Sequence, residues 1–252
     1  MPNPEINEYV YQALMYDMYA CYYKYSDPNK HVMYYQMHLK ALQQAIQSQA
    51  GSRVPYQMNS GMTSARVFHA SPDAPAVDVY LNGNLALRNL KYKEISEFMH
   101  LPAGQYRLDI YPTGSTTSPV LSETLLFMPG VTYTFTAAGP VSRLKLFPIV
   151  DKPFVSAGET KVKFVHLSPD APAVDVAVKD GDILFPNVSY MTATKYITVP
   201  AGRIDLEVRL AGTQTVVLPV PKVQLRSDTA YTIFAVGLAN GNPPLEAVLA
   251  RG

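Results

Sequence analysis

A histidine, a serine and two aspartates recur together twice in this 252-residue chain. His69, Ser71, Asp73 and Asp78 lie in HASPDAPAVD, and His166, Ser168, Asp170 and Asp175 in HLSPDAPAVD. Two chemistries draw on such side chains. Serine, histidine and aspartate are the types of a nucleophilic triad, while imidazole nitrogen and carboxylate oxygen suit a divalent ion in a metal-dependent hydrolase. The spacing disfavours both. Neighbours at one strand end do not easily set a serine oxygen on one ring nitrogen while a carboxylate holds the other, and no G-x-S-x-G elbow occurs. Three local ligands are few for a metal, and the chain has no CxxC, HExxH or EF-hand loop. The expectation is a hydrogen-bonded corner with no catalytic residue, no metal and no cofactor.

The strings match at nine of ten positions and lie 97 residues apart, which marks a duplicated domain. The correspondence extends beyond them at an offset of 98. Asn82-Gly83 answers to Asp180-Gly181, Leu101 to Gly104 answers to Val199 to Gly202, and the run from Tyr133 to Gly139 answers to Tyr231 to Gly237. One residue is inserted between Asp175 and Asp180.

The elements that position the motif read as strands. Short runs rich in Val, Ile, Tyr, Phe and Thr alternate with Asn-Gly, Asp-Gly, Pro and Gly, the pattern of an antiparallel sandwich with seven or eight strands. Ile204, Leu206, Val208 and Leu210 alternate with Arg203, Asp205, Glu207 and Arg209, which predicts one dry and one wet face. Each motif histidine ends an inward-facing row, Pro72 stops the strand, and Asp73 can accept amides beyond it. The predicted fold is mainly β: two tandem antiparallel sandwiches, Ig-like or transthyretin-like, over residues 64–148 and 160–252. Turn-rich linkers are predicted at 51–63 and 149–159.

Residues 1–50 stand outside the repeat. Asn3-Pro4 and Asp27-Pro28 are cap-and-proline starts, and Gly51 is a plausible stop. Apolar seams follow, at Ile6, Tyr9, Ala13, Tyr16, Ala20 and Tyr23, then at Val32, Tyr35, Leu39, Leu42 and Ile46. The prediction is an antiparallel helical hairpin. Ten of the 18 tyrosines fall in the first 56 residues, and Tyr9, Tyr11, Tyr16, Tyr19, Tyr22, Tyr23 and Tyr35 are expected to make contacts, within the chain or with another copy. His31 and His38 lie two helical turns apart, too far to share a metal.

Composition excludes several classes. Twenty-one Lys and Arg balance 20 Asp and Glu, so no basic field is present to hold nucleic acid. The single Cys21 permits an intermolecular bridge or a packed free thiol. A membrane span is not expected, nor a signal peptide. Tyr80, Tyr92, Tyr111 and Tyr190 could stack on a glycan if exposed.

The HxSPDAPAVDV string, the following hairpin, the L/VPAG turn and the closing YTxxAxG strand resemble the domain-of-unknown-function family numbered 4397. Two copies would cover about residues 64–250. The resemblance implies a β-sandwich module of the cell surface or exterior and carries no catalytic residues. The expectation is a non-enzymatic structural or adhesive component of a bacterial cell envelope or spore surface. Its partners would be copies of itself or other envelope or coat proteins. A glycan-, peptide- or small-ligand-binding module is the alternative.

Overall fold

The computed structural model describes residues 4–24, 27–48 and 61–252, and the chain divides into two compact units, Met1–Asn59 and Ser60–Gly252. The first unit holds α1 (Pro4–Tyr23) and α2 (Pro28–Ser48). No described helix is long and apolar enough to cross a membrane. Asp27 caps α2, its Oδ1 accepting the Lys30 amide at 3.1 Å, and Pro28 takes the first helical position, where no N–H is needed. The predicted signals Asn3 and Gly51 lie outside the described residues, as does most of the predicted linker 51–63.

The helices meet along Ala13, Ala20 and Tyr23 of α1 and Ala41 and Ala45 of α2, all buried. Small residues bring the backbones close enough for His38 Nδ1 to reach Ala13 O and His31 Nδ1 to reach Ala20 O, each at 2.8 Å. A carbonyl only accepts, so each ring donates. The step of seven residues, taken in opposite senses on the two helices, fixes the antiparallel register. Tyr34 packs its ring against Tyr16, Tyr19 and Tyr23.

The predicted seam of α2 is corrected by this packing. Val32, Tyr35, Leu39, Leu42 and Ile46 are exposed, and the side facing α1 is His31, Tyr34, His38, Ala41 and Ala45. Both sets step by three and four residues and lie side by side on the helix. Periodicity cannot choose between them; the ring-to-carbonyl bonds and tyrosine stacking favour the second. Cys21 is exposed rather than packed.

The second unit contains two sandwiches. Among the described residues the first has eight strands: β1 (Met62–Ala70), β2 (Val77–Leu81), β3 (Asn84–Leu90), β4 (Met99–Pro102), β5 (Gly104–Pro112), β6 (Leu121–Phe127), β7 (Thr132–Ala138) and β8 (Lys145–Asp151). The second has nine: β9 (Thr160–His166), β10 (Val174–Val178), β11 (Ile183–Val188), β12 (Thr192–Ala193), β13 (Ile197–Val199), β14 (Gly202–Leu210), β15 (Val216–Leu225), β16 (Thr229–Val236) and β17 (Glu246–Arg251). In each repeat the order is mirrored. One sheet runs β4-β1-β7-β8 and its counterpart β12-β9-β16-β17, with β13 also on β9; the other runs β3-β2-β5-β6 and its counterpart β11-β10-β14-β15.

Two details depart from the sequence reading, and a third refines it. The pairs β1–β7 and β9–β16 are parallel, because the chain crosses between the sheets before returning beside its first strand. Strand β8 runs through 149–151, so the connection predicted at 149–159 starts at 152. The inserted residue opens the Asp180-Gly181 turn: Asn82-Gly83 is a two-residue hairpin with positive φ at both positions, whereas β10 and β11 are joined by residues 179–182, with Asp180 at φ 55.

The largest departure lies between the repeats. In the sheets containing β1 and β9 the central strands are buried on both faces. Their outer faces meet, with Phe68 of β1 on Phe234 of β16 at 4.6 Å between ring centroids. Within this contact Asp151 serves two buried cations. Lys163 Nζ lies 2.6 Å from its Oδ1 and Arg66 Nη2 lies 3.7 Å from its Oδ2. Thr134 donates to Asp151 Oδ2 and accepts from Arg66 Nε, while Arg66 Nη1 donates to Arg251 O. Arg66 and Lys163 hold equivalent places in the two copies and lie over equivalent rings, Phe98 at 4.3 Å and Tyr196 at 4.8 Å. The repeats are thus two halves of one packed body.

A buried carboxylate shared by two cations is costly to remove, because the cations remain without their counter-charge. Asp151→Asn should lower unfolding stability by about 3–5 kcal/mol in urea titration. Replacing Arg66, Asp151 and Lys163 together by Met, Leu and Met should recover most of that loss.

Candidate functional site

Strands β1 and β9 deliver His69 and His166 to the corner where each chain segment leaves one sheet for the other. Both side chains are buried, and both ring nitrogens face backbone. His69 Nε2 lies 2.9 Å from Pro75 O, and the Ser71 amide donates to Nδ1 at 3.4 Å. In the second copy Nε2 of His166 lies 3.1 Å from Pro172 O and the Ser168 amide lies 3.3 Å from Nδ1. An amide donates and a carbonyl accepts, so these partners assign the neutral tautomer protonated at Nε2. Burial pushes both imidazoles below the ordinary value of 6.5. Each ring meets a tyrosine edge-on, Tyr92 for His69 and Tyr190 for His166.

The hydroxyl and carboxylates hold more distant backbone. Ser71 Oγ donates to Gly139 O at 2.6 Å, with Asp73 Oδ1 at 3.3 Å, and Ser168 Oγ donates to Asp170 Oδ1 at 3.2 Å. Asp73 accepts the Val141 amide, and Asp170 accepts those of Ala239 and Asn240. These bonds tie each Ser-Pro-Asp turn to the loop after β7 or β16. Gly237, in that loop, has φ +88, and a Cβ there would lie 2.1 Å from Pro244 O, so only glycine fits.

Asp78 and Asp175 tie the outer sheets. Asp78 accepts the Asn89 amide at 2.8 Å, Thr113 Oγ1 at 3.2 Å and the Gly114 amide at 3.2 Å. Asp175 accepts the Asn187 amide at 2.6 Å and the Gly212 amide at 2.8 Å. Asn89 and Asn187 have positive φ where the ladder between the paired strands shifts register, so each carboxylate takes an amide that the bulge frees. The Asn89 amide, aided by Gly114 and Thr113 against partial desolvation, holds Asp78 below the usual carboxylate range. Desolvation pushes Asp170 up, but the amides of Ala239 and Asn240 and the Ser168 hydroxyl outweigh it and leave that carboxyl low as well.

The structure therefore gathers His69, Ser71 and Asp73 without assembling a triad: the ring nitrogen near serine takes the serine amide, and the hydroxyl points at Gly139 O. Asp78 lies apart on the other face of β2. Among the described residues no three His, Cys, Asp or Glu side chains converge as a metal site. The candidate stacking tyrosines are half-buried. Tyr80 meets Tyr111 edge-on at 5.3 Å, and burial pushes Tyr92 and Tyr190 up to about 12. Of the hairpin tyrosines, Tyr9, Tyr11, Tyr16, Tyr19 and Tyr22 are half-buried, Tyr23 is buried, and Tyr35 is exposed.

Sequence reasoning missed the partners of the motif, namely Tyr92 and Tyr190, Asn89 and Asn187, and Gly114 and Gly212. Each pair keeps the offset of 98, so extending the internal comparison residue by residue would have found them.

Fold and site together define a fused pair of β-sandwich modules whose repeated motif hydrogen-bonds its own backbone. The family described as "Domain of unknown function (DUF4397)" matches residues 63–177 and 177–250, and the chain belongs to it. Comparison with curated proteins finds no match. Among solved structures, the Bacillus anthracis TIE protein is similar at 10% identity and a TM-score of 0.24, over 74% of this chain and 34% of that one. A leucine-rich repeat protein from Bacteroides thetaiotaomicron VPI-5482 is similar at 14% identity and a TM-score of 0.18, over 68% of this chain and 25% of that one. A candidate cell adhesion protein from Bacteroides ovatus ATCC 8483 is similar at 12% identity and a TM-score of 0.18, over 76% of this chain and 96% of that one. Likenesses this distant carry neither fold nor function to the chain.

Two pH windows follow from the shifted groups. Between 6.5 and the lower folded values of His69 and His166 the unfolded chain binds more protons, so stability is full above 6.5 and falls as pH drops through that window. Asp78 and Asp170, held below 3.8, add a second loss as pH falls beneath 3.8. Urea midpoints measured against pH should show both, and His69→Phe with His166→Phe should flatten the upper window only. Asp78→Ala should cost about 2–4 kcal/mol, since it strands the Asn89 and Gly114 amides.

Proposed function

We propose that this chain is a non-enzymatic structural or adhesive component of a bacterial cell or spore surface, associating with its own kind through the helical hairpin. The observation that carries the reading is the use of the motif's polar groups. Both imidazoles are neutral and bonded through both nitrogens, Ser71 donates to a carbonyl, and the four aspartates accept amides. A group so engaged is poorly placed to bind and activate a substrate. The hairpin supports the second half of the proposal, because it leaves apolar side chains of α2 exposed. The partners on this reading are further copies of the chain or other envelope or coat proteins, and the fused sandwiches present their remaining faces and loops.

Light scattering of the full chain over a range of concentrations, with electron microscopy of the same samples, tests association. Mass should rise with concentration, and a monomer throughout would remove self-association from the proposal. A hydrolytic turnover lost in His69→Gln with His166→Gln, with folding intact, would overturn its non-enzymatic half.

A further inference from the structure

The inference concerns α2 and rests on the self-association proposed above. Val32, Tyr35, Leu39, Leu42 and Ile46 are exposed by 52%, 48%, 48%, 38% and 70%. Their steps of three, four, three and four residues are those of positions a and d in a heptad, carried for two full repeats. Such a stripe runs nearly straight along a helix and accepts knobs from another helix of the same period. It is continuous with a packed interface, because the adjoining side of α2, formed by His31, Tyr34, His38, Ala41 and Ala45, already lies on α1. Its other border begins with an exposed Met33 and is polar beyond it, with Gln36, Lys40, Gln43 and Gln47 exposed.

We infer that this stripe is a homotypic helix-pairing surface whose occupant is the α2 stripe of a second copy, so that two hairpins join as a four-helix bundle. Charge allows it. The residues just after the d positions, which face a partner across a paired seam, are Gln36 and Gln43, so two copies bring no like charges together there. Area allows it too. Two such stripes would bury on the order of 1,000 Å², the lower bound for a specific protein contact. The contact is aliphatic, with Tyr35 as its one aromatic, whereas Tyr23 of α1 is buried against α2 and Tyr9, Tyr11, Tyr16, Tyr19 and Tyr22 are half-buried.

Leu39→Lys and Leu42→Lys place a charge in the seam, and Gln47→Lys places one on the polar border. In light scattering the first two should weaken association at least tenfold and the third should leave it unchanged, with helix content followed by circular dichroism. A second measurement avoids a disruptive charge. In a Cys21→Ser background, Leu39→Cys should form a covalent dimer on mild oxidation and Gln47→Cys should not. A wild-type chain that associates while Leu39→Lys and Leu42→Lys associate equally, or a Leu39→Cys chain that does not cross-link, overturns the stripe and leaves self-association standing. A wild-type monomer overturns both.

Discussion

A neutral imidazole held between two backbone groups is the constraint on which each sandwich corner depends. The strand carrying His69 or His166 must end, cross to the other sheet and resume within a few residues, through a segment where prolines remove donors and leave carbonyls to be satisfied. The ring solves this locally by donating to the proline carbonyl and accepting the serine amide. A cationic ring could not accept that amide. Burial keeps the ring neutral, and the neutral ring is what lets the corner be buried. The aspartates extend the same logic outward, each accepting amides from turns or bulges whose ladder partners have been lost.

The second constraint arises from having two copies. Each inner sheet is covered by its own outer sheet on one side and by the other repeat on the opposite side, so its central strands read as almost unbroken buried runs. Two cations at equivalent positions follow directly from duplication. A single carboxylate at the end of β8 does not, because the matching place in the second copy is Gly252, which has no side chain. The duplicated halves thus became complementary through one asymmetric aspartate. The same burial removes two sheet faces from any binding role and leaves the outer sheets and loops exposed.

In the hairpin, histidine takes a place that hydrophobic pattern would give to an aliphatic residue. His31 and His38 lie on the inward side because alanines on α1 allow the helices to approach, and because a ring nitrogen gains a carbonyl there that an aliphatic chain cannot use. The aliphatic stripe is displaced to the adjoining side. That displacement, rather than the abundance of tyrosine, gives the hairpin its exposed apolar surface.

Sequence by itself determined the duplication, the β-rich class, the helical hairpin, the Asp27 cap and the corner with His69, Ser71 and Asp73, because each rests on residues near one another in the chain or on exact internal repetition. Only tertiary structure decided which of two parallel seams on α2 turns inward, that the repeats are fused rather than strung on a linker, and that Asp78 and Asp175 serve amides some 11 to 37 positions away. These choices rest on contacts between residues distant in sequence. Their energies depend on which groups must be desolvated together, and periodicity and local propensity do not contain that information.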